Sequence, residues 1–484
     1  MSQLSADCLF EIFEFLANDK KSLYSCLLVN KLWSTISVRI LWRDSTNYNF
    51  QTLKTLIKCL PNESKEIISK NIIIHPFPIS NPMFNYASFC KFLSIYEIQL
   101  KFKFLVRSPE YFIRDYIILI EILKLFMKQI SSLKKLDIQL HKNLPNTNFT
   151  SFPGAENCLK YITELQLFSY INPEIFHHLI QYCHNIKSLT IEFCDNTISN
   201  GLKDFLFSIQ NNLKYFYIIQ SDKSPDLTDL ISSFTTKLYN TVNKFYYSTF
   251  NVSFSFINNF TNLQLLEIEH FDTTDVFEKL AYFIFPYLKI LRIDIYTINT
   301  KLAIKFLENN GKNLEEFTFC EMTGESDNLL NLAIAKFCVN LKILSTGFKN
   351  NELESLKTVL NACKHLEFIK LWIGEVDLLN EKIALELVTN YSPKNLNRIE
   401  LLYRHQSYTE KLHPEVLDSF FISWTKRLPY FPINIIIKRL DVTESLDTNE
   451  ENMNIINKYI KLNVIKKFII LTEMGGFYLE NVIR

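Results

Sequence analysis

Along the first forty-odd residues apolar side chains recur at the spacing of an α-helix. Leu9, Ile12, Phe13 and Leu16 stand at i, i+3, i+4 and i+7, one face of a helix. The helix is predicted to start near Asp7, or at Ser5 just before it, since either caps well, and to break at Asn18-Asp19. Leu23, Leu27, Leu28 and the stretch to Trp33 predict a second helix, and Ile36, Ile40, Leu41 and Trp42 a third. Three helices in about forty residues bury little surface, so such a module gains stability by packing on a partner.

The pattern then changes. From Ser132 onward the frame Leu-x-x-Leu-x-Ile recurs, as SLKKLDI, NIKSLTI, NLQLLEI, YLKILRI and NLNRIEL. The spacing is roughly 25 residues, and helical stretches such as PEIFHHLIQYC and NLLNLAIAKFC lie between the copies. A short strand alternating with a helix at this period predicts an α/β fold, a curved horseshoe solenoid with a parallel sheet on its inner face. The repeats are irregular: the consensus Asn after the strand is mostly missing, and the period drifts. The expected organisation is a helical module over 1–45 and a connector over 46–92, turn-rich at HPFPISNPMFNY, with room for degenerate repeats. Irregular repeats follow over 93–428 and a cap over 429–484. In the cap, PINIIIKRL reads as a strand, NEENMNIINKYIKL as a helix and VIKKFIIL as a last strand, shielding an end that cannot leave its apolar face in water.

Composition narrows the functional classes. With 52 basic and 51 acidic residues the net charge is +1, so no overall field draws the chain to nucleic acid or an anionic membrane. The most apolar stretch, YIILIEILKLFMKQI, is interrupted by Glu121, Lys124 and Lys128 and is too short and polar to span a bilayer. Asp7, Glu11 and Glu14 interrupt any secretory-signal pattern. Ten cysteines without a C-x-x-C pair read as reduced thiols in a cytoplasmic or nuclear protein. No catalytic residues, metal ligands or cofactor are predicted. His177 and His178 are adjacent and diverge on a helix, H-E-x-x-H and G-x-S-x-G are absent, and Gly311-Lys312 lacks the upstream Gly of a phosphate loop.

The segment from Leu4 to about Arg43 resembles the F-box. The resemblance rests on Leu4, Leu9, Ile12, Phe13, Leu16, Leu28, Val29 and Trp33 in the family's order and spacing. It departs from the family at Ser5, where Pro is usual; Ser can cap the helix instead. The resemblance implies that these eight residues bind a Skp-type adaptor and, through it, a cullin scaffold. A plain three-helix cap on the repeats is the alternative. Cys183, Cys338 and Cys363 before strands, with Cys194 and Cys320 after them, resemble the cysteine-containing leucine-rich repeats of many F-box proteins. Physically, small thiols there fill the turn. The whole chain resembles the expanded F-box and leucine-rich-repeat-like families of some fungi, in strings such as SFPGAENCL, ISNGLKDF and KFLENNGKNL.

In each Leu-x-x-Leu-x-Ile frame the residues flanking the inner apolar positions point away from the core. This frame nominates Tyr215, Tyr217, Tyr246, Glu267, Glu269, Arg292, Asp294 and Trp372 as a client-binding face, aromatic beside acidic and suited to a basic or mixed peptide or protein. The expected function is that of a non-catalytic substrate receptor of an SCF-type ubiquitin ligase. The alternative is an intracellular leucine-rich-repeat interaction module with no ubiquitin link.

Overall fold

Ser5 stands in extended backbone and its hydroxyl accepts the N–H of Cys8, so the first helix begins at the next residue. The structure, a computed structural model, describes residues 4–71, 82–105, 112–139, 147–195, 198–209, 212–249, 255–270, 276–295, 298–319, 324, 327–374, 378–403, 412–440, 445–474 and 477–483. Cys320 and most of HPFPISNPMFNY lie outside them. Helices α1 (Ala6–Glu14), α2 (Lys20–Cys26) and α3 (Lys31–Leu41) form the N-terminal module. Asp19 caps α2 through Ser22, and Asn30 caps α3 through the N–H of Trp33. The second predicted helix therefore ends early. Asn30 offers its side chain to the backbone and restarts the helix, so Trp33 belongs to α3.

The chain divides into two compact units, residues 1–230 and 231–484. In the first, β1 (Phe92–Ser94), β2 (Lys135–Ile138), β3 (Glu164–Phe168), β4 (Ser188–Phe193) and β5 (Tyr215–Gln220) pair in parallel. Successive repeats stack in register, Ser94 against Asp137, Gln166, Thr190 and Tyr217 in turn. The alternate positions, Leu136, Ile138, Leu165, Leu167, Leu189 and Ile191, are buried beneath the outer helices. One backbone device recurs at each boundary. The carbonyl of the residue before a strand accepts two N–H groups from the next repeat: Lys91 from Lys134 and Lys135, and Lys187 from Lys214 and Tyr215. Arg43 does the same for Lys91 and Phe92, at 2.7 and 2.9 Å, and Asp44 bridges Phe92 in parallel. The end of α3 thus joins the stack as a repeat would. Within 46–92 the described residues are largely helical, over Phe50–Cys59 and Asn62–Asn71.

The second unit continues the same grammar. It comprises β6 (Lys244–Thr249), β7 (Leu265–His270), β8 (Ile290–Ile295), β9 (Glu316–Phe319), β10 (Ile343–Ser345), β11 (Phe368–Ile373), β12 (Arg398–Tyr403), β13 (Ile433–Leu440) and β14 (Ile465–Met474), all parallel. β15 (Phe477–Ile483) adds antiparallel to β14. The strand, helix and strand expected after residue 429 are present as β13, Glu450–Lys461 and β14; β15 has no counterpart in the sequence reading. Phe side chains fill the layer between sheet and helices, as where Phe245 meets Phe256 and Phe260, and Phe306 meets Phe277 and Phe285.

Asparagines knit the turns. Asn262, Asn313 and Asn340, each just before the first Leu of its frame, donate to carbonyls one repeat back, at Asn240, Pro286 and Lys312. The repeats use this Asn in place of the consensus one after the strand. Asn310, fully buried, accepts the N–H of Phe285 at 2.7 Å and donates to the carbonyls of Phe283 and Phe306. Among the described residues no helix is long and apolar enough to cross a membrane.

Candidate functional site

Helix α1 is apolar on two faces. Leu9 and Phe13 turn inward and join Leu23, Cys26, Ile36 and Ile40 in a core belonging to the three helices themselves, with Leu16 and Trp33 packed against it. The Trp33 ring meets Phe13 edge-on, with centroids 5.1 Å apart. The second face carries Leu4, Cys8, Ile12 and Phe15, spaced along one stripe of the helix. Leu4 is 54%, Ile12 47% and Phe15 90% exposed. In the turn between α2 and α3, Leu28 is 88% and Val29 55% exposed.

The eight sequence-nominated adaptor residues therefore separate by role. Leu4, Ile12, Leu28 and Val29 are open to a partner. Leu16 and Trp33 are half-buried. Leu9 and Phe13 are buried, a correction to their placement on a binding face: their spacing is that of the core stripe, and the core claims them. Sequence reasoning missed Phe15, the most exposed of the large apolar side chains among the described residues. The signal was present, since Phe10 and Phe15 leave the Leu9–Phe13–Leu16 stripe and a single-faced helix has no use for them. Leu4, Ile12, Phe15, Leu28 and Val29 together leave on the order of several hundred Å² of apolar surface in water, at or above what a monomer ordinarily tolerates.

The module is anchored at its far end. Arg43 forms an ion pair with Glu14 at 2.6 Å, and Trp42 is buried against Tyr48 and Tyr86. None of these contacts uses the open stripe.

The nominated client residues divide between the two units. In the first, Tyr215 and Tyr217 are half-buried on β5. In the second, the frame is in register: Glu267, Arg292, Thr318, Ser345 and Lys370 pair in sequence across β7 to β11. Their charges are largely spent on one another. Arg292 reaches Glu267 at 3.1 Å and, diagonally, Glu316 at 2.7 Å. Tyr246 donates its hydroxyl to Glu269 at 2.6 Å. Burial pushes the Glu267 carboxyl above its ordinary range even though Arg292 opposes the shift. Asp294 is half-buried on β8. Trp372 is only 1% exposed, packed with Leu378 and Leu402 near Gly324, so it belongs to the interior and not to an open face. Gly324, Leu378 and Leu402 stand against this ring, contacts that no repeat pattern foretells.

The cysteines behave as turn fillers. Cys338 and Cys363 are buried, and the Cys363 thiol donates to the Cys338 carbonyl one repeat back at 3.5 Å. Cys183 does the same toward Leu159. Burial pushes the Cys363 thiol up to about 12. The nine described cysteines are free thiols, and no group of three metal-capable side chains converges among the described residues.

No family model matches the chain, and no curated protein matches it. Among solved structures, the leucine-rich repeat-containing protein LegL7 from Legionella pneumophila is similar at 14% identity and a TM-score of 0.35, covering 61% of this chain and 99% of its own.

Proposed function

We propose that this chain is a substrate receptor of an SCF-type ubiquitin ligase, with the three N-terminal helices docking on a Skp-type adaptor and the repeats holding a protein client. One observation carries the reading: Leu4, Ile12, Phe15, Leu28 and Val29 stand in water although their module already has a complete core of its own. Apolar side chains left outside a finished core are stabilised by a partner that covers them. The likeness of Leu4–Arg43 to the F-box supplies the partner's identity. In this reading the chain performs no chemistry. It brings a client near the transfer machinery, and the cullin scaffold is reached only through the adaptor. Such a protein works in the cytoplasm or nucleus. The client face is the less developed part, since Glu267 and Glu269 are already bonded to Arg292 and Tyr246.

The test uses the full chain and a purified Skp-type adaptor in analytical size-exclusion chromatography. The expected outcome is a stable one-to-one complex; two separate peaks at micromolar concentration refute the assignment. A second reading, a repeat-interaction protein whose helices merely cap the stack, draws on the way Arg43 and Asp44 join β1 like a repeat. Under that reading the adaptor does not bind and the open stripe serves another protein.

A further inference from the structure

The residue just before each strand, whose carbonyl forks to the next repeat, forms a row along one edge of each sheet. In the second unit the row reads Asn243, Gln264, Lys289, Glu315, Lys342, Glu367 and Asn397, and its charged members alternate in sign. Glu315 lies between Lys289 and Lys342, at 2.8 and 2.7 Å, and Glu367 follows. Those two ion pairs establish that neighbouring members of such a row reach one another, as strands about 4.8 Å apart allow.

The first unit fills the same row differently. After Arg43, which Glu14 neutralises, the positions are Lys91, Lys134, Thr163, Lys187 and Lys214. Lys134, Lys187 and Lys214 are exposed, and among the described residues none of the three has a carboxylate within ion-pair distance. Lys91 hydrogen-bonds Ser132, and burial, with the Lys134 ammonium beside it, pushes Lys91 below its ordinary range. Lys134 and Lys160 both stand over the exposed ring of Tyr161, at 5.5 and 5.9 Å. Glu164, which follows Thr163 in the chain, is held loosely by Lys135 at 4.0 Å.

We infer that the edge formed by Lys91, Lys134, Lys187 and Lys214, with Lys160 and Tyr161, is a docking surface for an extended acidic polypeptide segment of a partner protein. A line of like charges repels itself, and a partner of opposite charge relieves the repulsion. The row spans four strand spacings, about 19 Å, which about six residues of extended chain cover. Thr163 interrupts the row, and its four charged members beyond Arg43 are all lysines. Lysines are point charges without the planar fork that arginine offers to phosphate, so carboxylates satisfy them as well as phosphates do. The stripe is one residue wide on a chain of net charge +1, which does not provide the broad field that nucleic acid or a membrane surface requires. This surface is separate from the apolar stripe on the N-terminal helices, and the inference stands whether or not those helices bind an adaptor.

Fluorescence anisotropy of the full chain with a labelled peptide of alternating Glu and Ser, at low ionic strength, tests the inference. Saturable binding is expected, lost with the Gln-Ser counterpart and weakened by added salt. Lys134→Glu/Lys187→Glu/Lys214→Glu should weaken it roughly tenfold or more. The charge-matched Lys279→Glu/Lys301→Glu/Lys312→Glu on the second unit should change it less than about twofold. All six positions are exposed, so both variants should melt like the wild type. Equal binding by both variants, or none by the wild type, overturns the inference. Tighter binding of single-stranded RNA or of phosphatidylserine vesicles than of the peptide, abolished by the same first-unit variant, overturns the choice of partner.

Discussion

Phe15→Ser with Leu28→Ser separates docking from folding. Phe15 is 90% and Leu28 88% exposed, so in the free chain neither contributes appreciably to a core. Their loss should shift thermal stability by no more than about 0.5 kcal/mol. On a partner the account differs. Fully covering a Phe or Leu side chain is worth about 1.5–3 kcal/mol each. Two such losses give a ceiling of about 6 kcal/mol, and incomplete coverage brings the expectation nearer 3 kcal/mol, roughly a 150-fold rise in Kd. The assay is isothermal titration calorimetry of the full chain against a purified Skp-type adaptor, with melting followed in parallel. Phe13→Ala is the contrasting control. It empties the module's own core, with an expected cost of about 3–5 kcal/mol in that module's stability, and weakens binding only through unfolding. Trp33→Ala is a poor probe for the same reason, because its ring packs on Phe13. A double variant that keeps its affinity within twofold while melting normally would refute the argument that the outer stripe is the contact.

Three further expectations concern the repeats. Asn310→Leu removes the acceptor of the Phe285 N–H inside the protein and should cost roughly 2–4 kcal/mol, read from urea unfolding; a change below 1 kcal/mol would mean the turn is held by other bonds. Gly154 has φ +89°, and a Cβ there would lie 2.6 Å from the Met127 carbonyl oxygen, so Gly154→Ala should cost roughly 1–3 kcal/mol, seen as a lower melting temperature. Glu381 is buried, accepts the Tyr403 hydroxyl, and has its carboxyl raised above the usual 4.5 by burial. Its ionised form disfavours the folded state above the raised pKa, and that penalty fades as pH falls through it toward 4.5. Glu381→Gln should therefore raise the melting temperature at neutral pH, with the gain shrinking on acidification; a gain that grows in acid would reverse the assigned sign.

Much of the architecture was legible because local rules enforce it. Leu-x-x-Leu-x-Ile alternates with period two, and the register of Glu267, Arg292, Thr318, Ser345 and Lys370 follows from that alternation. Ser5, Asp19 and Asn30 announce helix starts through their own side chains, although the apolar run around Asn30 obscures its signal. The lysine edge was also written in the frame, at the residue after its first Leu or Ile, in SLK, NIK and NLK. It carries no meaning until the strands are stacked and, among the described residues, no carboxylate is found within ion-pair distance of Lys134, Lys187 or Lys214.

What the sequence by itself determined is therefore the alternation of strand and helix, the side of each strand that is buried, and the existence of a separate apolar cluster at the start. Those depend on spacings of two, three or four residues. Only the tertiary structure decided which apolar side chains of that cluster face inward, since Leu9 and Ile12 look alike to a hydrophobicity pattern and only α3 packing on one side tells them apart. It likewise decided that Arg292 neutralises Glu267, that Trp372 lies covered, and that the chain divides near residue 230. Those outcomes depend on residues one or more repeats apart, at distances set by how repeats stack, and no local period encodes them.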